Sequence, residues 1–202
     1  IVAGELLKEA GIPVSGFVLA TGEILGQTKA VSDVMGIELS AIKRTIDRQI
    51  IEINKIEGAY NGHIPISLIF GLVGALVAVS SQSKYVIVAN EASASIPQAS
   101  WEGNNVNHQW SKSLEFERLF QQYLQKYVST EIHYFSAIRP LSSVAIAKIF
   151  SQYPQYFEVF TSDNSLFKIN QEAREHPRWS LDSSKSLSSY ILLAPWMNDD
   201  DL

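Results

Sequence analysis

The segment that most constrains this chain is residues 64–81, which run for eighteen positions without a charge. That length lies at the lower edge of what spans a bilayer. A helix buried in a soluble α/β domain explains the segment better. Gly71 and Gly74 allow close packing against a sheet, no Lys/Arg-rich flank marks a membrane interface, and no second such segment exists. The turn Asn61-Gly62-His63 precedes it, and Pro65 is expected at its first helical position.

The rest of the chain reads as alternating strands and helices around that helix. Residues 1–11 read as a helix already under way that stops at Gly11, so Ile1 reads as an interior point of a longer protein. Gly16-Phe17-Val18-Leu19-Ala20 and Tyr85-Val86-Ile87-Val88-Ala89 are short apolar runs suited to buried parallel strands. Residues 37–42 and 131–137 read as further strands. Residues 45–56, 114–128, 144–150 and 187–197 read as helices, and residues 21–36 and 154–186 as loops with short helical pieces. The alternation predicts one α/β domain over residues 1–202, with a mostly parallel sheet flanked by helices.

Composition narrows the function. The 202 residues are 46% hydrophobic and 18% charged, ordinary values for a globular chain. With a net charge of -5 and no basic stretch, nucleic acid is not an expected partner. The absence of cysteine removes disulfides and thiolate metal sites. There is no Walker-type loop, no GxGxxG and no metal-spaced histidine pair, so no metal-ligand set is predicted.

Candidate chemistry collects in two places. Ligands of open α/β sheets sit beyond the carboxyl ends of strands, which is where Asn90-Glu91-Ala92-Ser93 falls. A carboxylate there can ligate a metal, orient a ribose or move a proton; it can equally be a loop or cap residue. The second place is Asn104 to Ser113, where Asn104, Asn105, Asn107, Gln109 and Ser111 surround His108 and Lys112 ahead of a helix carrying Glu115 and Glu117. Near a helix start, His108 is expected to have a lowered pKa and act as a neutral base, and Lys112 to face an anion. Arg139 suits a carboxylate or phosphate, though a structural ion pair is its commoner fate. Thr161-Ser162-Asp163-Asn164 fits a site loop or a plain turn. His63 fits a turn as well as a ligand, while His133 and His176 carry no signal.

Taken together, several motifs resemble one family. They are Asn61-Gly62-His63-Ile64-Pro65-Ile66, Asn90-Glu91-Ala92-Ser93-Ala94 and Val106-Asn107-His108-Gln109-Trp110-Ser111-Lys112-Ser113 with Phe116-Glu117. Tyr134-Phe135-Ser136, Arg139-Pro140-Leu141-Ser142, Tyr153-Pro154-Gln155-Tyr156 and Leu192-Leu193-Ala194-Pro195-Trp196-Met197 extend the match over essentially the whole chain. The pattern resembles the C-terminal catalytic part of the muramoyl-alanyl-glutamate epimerase (MurL) family.

The resemblance implies an adenine nucleotide α-hydrolase (ATP pyrophosphatase)-like fold, incomplete at its N-terminus because a glycine-rich phosphate loop is missing. It implies a bacterial, cytoplasmic isomerase of peptidoglycan synthesis that uses ATP and Mg2+. The substrate would be UDP-N-acetylmuramoyl-L-alanyl-L-glutamate, whose terminal glutamate is inverted through an acyl-adenylate. His108 and Lys112 would then serve proton transfer or electrophilic roles, and Glu91 the magnesium or adenylate. Asn107, Arg139, Asn164 and Ser111 would position substrate, with Asn90 and Ser93 near the cofactor. Ser180, Ser183 and Ser186, with Asp163, stand where the family has cysteines. Two other readings stay open: another adenylating ligase of the same fold, and a truncated, non-catalytic scaffold.

Overall fold

In the computed structural model the chain forms two compact units, residues 1–43 with the described residues from 143 onward, and residues 44–142. The structure describes residues 1–24, 26–47, 49–53, 55–59, 64–162, 179 and 183–198. In chain order the elements are α1 (Val2–Glu9), β1 (Gly16–Ala20), α2 (Gly26–Met35), β2 (Leu39–Lys43), α3 (Gln49–Ile53) and α4 (Ile66–Ser80). Then follow β3 (Tyr85–Val88), a 3-10 turn Ala92–Ser95, β4 (Ala99–Trp101), β5 (Asn104–Val106), a 3-10 turn Trp110–Lys112 and α5 (Leu114–Tyr127). The remainder is β6 (His133–Ser136), α6 (Ser143–Phe150), a 3-10 turn Pro154–Tyr156 and α7 (Ser184–Leu193). The motif Asn61-Gly62-His63 and the residues Asp163, Asn164, His176 and Ser180 lie outside the described residues.

The first unit opens on a βαβ turn of chain. α1 stops where Gly11 takes φ +73, the left-handed conformation that its glycine was expected to supply. β1 has the expected limits and pairs in parallel with β2, from Gly16↔Leu39 to Ala20↔Lys43. Parallel neighbours need a crossover, and α2 provides it. α1 then carries Glu5, which is buried, towards the segment after α6, where the hydroxyl of fully buried Tyr156 donates to Glu5 Oε1. One turn along, Tyr153 Oη donates to Glu9 Oε1 at 2.9 Å. α7 is capped by Ser183, whose Oγ accepts from the Ser186 N–H at 3.4 Å. Two of the serines in the cysteine-like spacing therefore meet in a helix cap, a task for which a hydroxyl is well suited.

In the second unit the uncharged segment becomes α4, with Pro65 as its N-cap, one place before its first helical residue Ile66, rather than at the first helical position as expected. Its buried residues are small: Ser67, Gly71, Gly74, Ala75 and Ala78. A Cβ on Gly71 would lie 2.8 Å from the Phe120 ring, so glycine lets α4 approach α5. Ala75, Ala78, Val86, Phe116, Phe120, Leu124, Ile132 and Tyr134 form the core. No described helix is long and apolar enough to cross a membrane.

Two expectations change. The single sheet is replaced, among the described residues, by three two-stranded sheets: β1–β2 and β3–β6 parallel, β4–β5 antiparallel. The architecture is thus mixed α/β. The helix expected over residues 45–56 is described only as α3, Gln49–Ile53. Ile50, Ile51, Ile53 and Ile56 are all exposed, so the periodic isoleucines find no surface to bury against, and propensity alone sustains little helix.

Candidate functional site

The site grows from the carboxyl ends of β3 and β6, which pair in parallel from Tyr85↔His133 to Val88↔Ser136. Ser136, buried at the end of β6, extends that pairing through its side chain. Its Oγ donates to the Asn90 carbonyl at 2.7 Å and accepts from the Asn90 N–H at 2.9 Å. Ser136 N–H donates to Glu117 Oε2 at 3.1 Å. Glu117 projects from the core-facing side of α5, where an isolated carboxylate would be costly. Arg139 supplies the counter-charge: its Nη2 donates to Glu117 Oε2 at 2.6 Å.

The other arm of that guanidinium gathers the two candidate segments. Arg139 Nη1 donates to the Glu91 carbonyl at 3.2 Å and to the Lys112 carbonyl at 2.9 Å. Those two backbone positions, 21 residues apart in sequence, are thereby held around one nitrogen. A second tether runs from Asn107, whose Nδ2 donates to the Ala94 carbonyl at 2.9 Å while its Oδ1 accepts from the Gln109 N–H at 2.8 Å. Ser95 Oγ accepts from the Leu114 N–H at 3.1 Å. The amide-rich segment and the Glu91 loop therefore converge at the end of the β3–β6 pair.

Every predicted site residue except Asn164, which lies outside the described residues, has a definite place. Glu91 is half-buried, and its Oε1 accepts from Ser93 Oγ at 2.6 Å. His108 is exposed; its N–H donates to Gln98 Oε1 at 3.2 Å and its Nε2 lies 3.3 Å from Gln109 Nε2. Lys112 is half-buried at the end of the second 3-10 turn, and Ser111 is buried beside it. Asn107 and Arg139 point inward as tethers. Asn90 is held through its backbone by Ser136.

The helix-end argument for His108 and Lys112 does not carry over. α5 begins at Leu114, behind a cap in which Ser113 Oγ accepts from the Phe116 N–H at 3.1 Å. Both residues precede that cap, and a helix field falls off within the first turn. Sequence reasoning also left Ser136 and Glu117 without a role. A glutamate on the apolar face shared by Phe116, Phe120 and Leu124 was the available signal, since such a residue requires a partner.

Tyr134 borders this hub. Burial first, and then the negative charge of Glu117, push its phenol up to about 12, while Arg139 opposes the rise. Its hydroxyl is buried and has no hydrogen-bond partner among the described residues.

The fit to magnesium and ATP can be judged from the donors present. Among the described residues no group of three His, Asp or Glu side chains gathers to hold a metal. At the strand ends Glu91 offers one carboxylate, and a magnesium ion there would need phosphate oxygens and water to complete its shell. The sequence has no phosphate-cradling glycine loop. The described residues alone do not make a magnesium–nucleotide site.

With this geometry in place, similarity to known proteins becomes informative. Residues 1–137 match the family described as the MurL N-terminal domain. Over 197 residues, 98% of the chain, it is 36% identical to a UDP-N-acetyl-alpha-D-muramoyl-L-alanyl-L-glutamate epimerase of a Micromonospora species. The identity is 34% to the Salinispora tropica protein of that name and 32% to that of Xanthomonas oryzae pv. oryzae. The chain spans 42% of the length of the first two relatives and 43% of the third. No solved structure matches it. The N-terminal-domain match corrects the C-terminal placement expected from the motifs: motifs identify a family, but their order does not say from which end of the longer protein they come.

Proposed function

Because the chain belongs to the MurL family, we propose that it forms part of an enzyme that inverts the terminal L-glutamate of UDP-N-acetylmuramoyl-L-alanyl-L-glutamate during cytoplasmic peptidoglycan precursor synthesis. The fold proposed for that activity is adenine nucleotide α-hydrolase-like; parallel pairing of β3 with β6 and polar loops at their carboxyl ends support it. ATP and Mg2+ belong to the proposal for the whole protein. Their chemistry would be activation of the glutamate carboxylate as an adenylate, which removes the charge that otherwise opposes loss of the α-proton.

Inversion needs a proton removed from one face of the α-carbon and returned to the other, by two groups or by one mobile group. His108 is proposed as one proton carrier, with an exposed imidazole on a loop tied down through Gln98 and Asn107. Lys112 is proposed as the electrophile or second carrier. Glu91 completes the polar set. Arg139 and Asn107 act by fixing the loops on which these side chains stand. The carrying observation is Arg139 Nη1 joining the Glu91 and Lys112 carbonyls, since it brings two distant polar segments to one place.

The test uses the full-length protein with ATP, Mg2+ and the UDP-muramoyl dipeptide, followed by hydrolysis and chiral analysis of glutamate. D-glutamate accompanied by AMP supports the proposal. AMP release without inversion favours an adenylating ligase, and neither product favours a scaffold.

A further inference from the structure

On the α5 side of the second 3-10 turn lies a concavity of about 670 Å³, lined by the β5 residue Asn105, by Trp110, and by Leu114, Arg118, Leu119 and Gln122 of α5. It is open to solvent, with the side chains of Asn105, Trp110, Arg118, Leu119 and Gln122 exposed along it. Its polar groups divide into two kinds. Asn107, Ser113, Ser95 and Glu115 are committed: Asn107 to Ala94, Ser113 and Ser95 to the N–H groups of the first turn of α5, and Glu115 Oε2 to Trp110 Nε1 at 2.9 Å. The side chains of Asn105, Arg118 and Gln122 have no partner among the described residues. The N–H groups of Leu114, Phe116 and Glu117 already have acceptors, and Arg118 is the one cationic side chain of this lining, so anion recognition here falls to it.

We infer that this groove binds a small acidic ligand, with its oxyanion on the Arg118 guanidinium and its amide or hydroxyl groups on Asn105 and Gln122. A guanidinium is a planar donor suited to two oxygens of one carboxylate or phosphate. The half-exposed Trp110 is pinned edge-on to Phe116, with ring centroids 5.3 Å apart, and gives the groove a rigid apolar wall for a sugar ring or acyl chain. The proposed muramoyl dipeptide carries all of these groups, and the identity of the ligand rests on that reading. Its oxyanion is either a peptide carboxylate or a UDP phosphate.

The experiment is calorimetric titration of the full-length protein with the intact UDP-muramoyl dipeptide, with L-alanyl-L-glutamate and with UDP. The unmodified protein is compared with Arg118→Gln, Arg118→Lys and the control Lys126→Gln on the same helix. Arg118→Gln should weaken the intact ligand about tenfold or more, Arg118→Lys should recover part of the loss, and Lys126→Gln should change nothing. The probe that loses affinity alongside it, dipeptide or UDP, identifies the oxyanion. Thermal unfolding checks that the variants are folded. The inference is overturned if Arg118→Gln binds all three within twofold of the unmodified protein, or if the unmodified protein binds none of them. Arg118-dependent binding without inversion of glutamate would uphold the groove and remove the epimerase reading. Inversion with Arg118-independent binding would do the reverse.

Discussion

Each unit buries a glutamate, and the two are neutralised differently. In the first unit Glu5 on α1 accepts from the Tyr156 hydroxyl, and Tyr153 reaches Glu9. The hydroxyl donors are neutral phenols from one segment, with the Lys8 ammonium of the same helix 3.6 Å from Glu5 Oε1, and the contact joins α1 to the stretch after α6. In the second unit Glu117 accepts from a guanidinium and from a backbone N–H, and the same guanidinium continues to the carbonyls of Glu91 and Lys112. A phenol has one proton to give and closes a contact. A guanidinium has five, so it can neutralise a carboxylate and still organise two loops. The first arrangement is packing; the second builds a surface of polar side chains at strand ends.

This contrast can be broken or sharpened by substitution. The largest effect is expected for Glu117→Ala, which leaves Arg139 buried without a counter-charge and should cost about 3–5 kcal/mol in urea unfolding of the intact chain. A loss below about 1 kcal/mol would show that the hub is dispensable. Next, Tyr156→Phe removes one neutral donor from Glu5 and should cost about 1–3 kcal/mol by the same assay. Equal losses in the two variants would erase the distinction between the regions.

A pH scan gives a smaller effect. Tyr134 and Tyr153 are both pushed up to about 12, in each case chiefly by burial, with the hydrogen bond to Glu9 adding to Tyr153. A phenol whose folded pKa is raised contributes stability that is complete below about pH 10, its unfolded value, and is lost as pH rises towards 12. Thermal midpoints should therefore fall over that window, and less steeply in Tyr134→Phe. The smallest effect is expected for Tyr134→Phe at neutral pH. Its hydroxyl has no partner among the described residues, so stability should stay within about 0.5 kcal/mol or rise. A loss above about 1 kcal/mol would reveal a bond that the geometry does not contain.

Local chemistry made some of this legible in advance. β1 was readable from five apolar-leaning residues between turn signals, α4 from its missing charges, and α5 from its periodicity. The polar run after β3 marked a strand end because sheets of this kind place ligands there. The β4–β5 hairpin was missed. Its strands are three residues each, and its turn places Glu102 at φ 48 and Gly103 at φ 78, where asparagine-glycine would have been the recognisable pair. The inward roles of Arg139 and Asn107 were likewise hidden. Their partners lie 22 residues away at Glu117 and 13 away at Ala94, and sequence carries no distances between such positions. The family resemblance was carried by motifs, which is why it named the relatives but misplaced the chain within them.

The proposed function rests on His108 and Lys112, on the segment that Arg139 ties to the Glu91 loop, serving proton transfer at one carbon. Solvent deuterium incorporation at the glutamate α-carbon, followed in the full-length protein with ATP and Mg2+, measures that transfer directly. The unmodified protein should exchange and invert, while His108→Gln and Lys112→Met should each slow exchange by about 100-fold or more. Exchange at near-unmodified rates in both variants would contradict it.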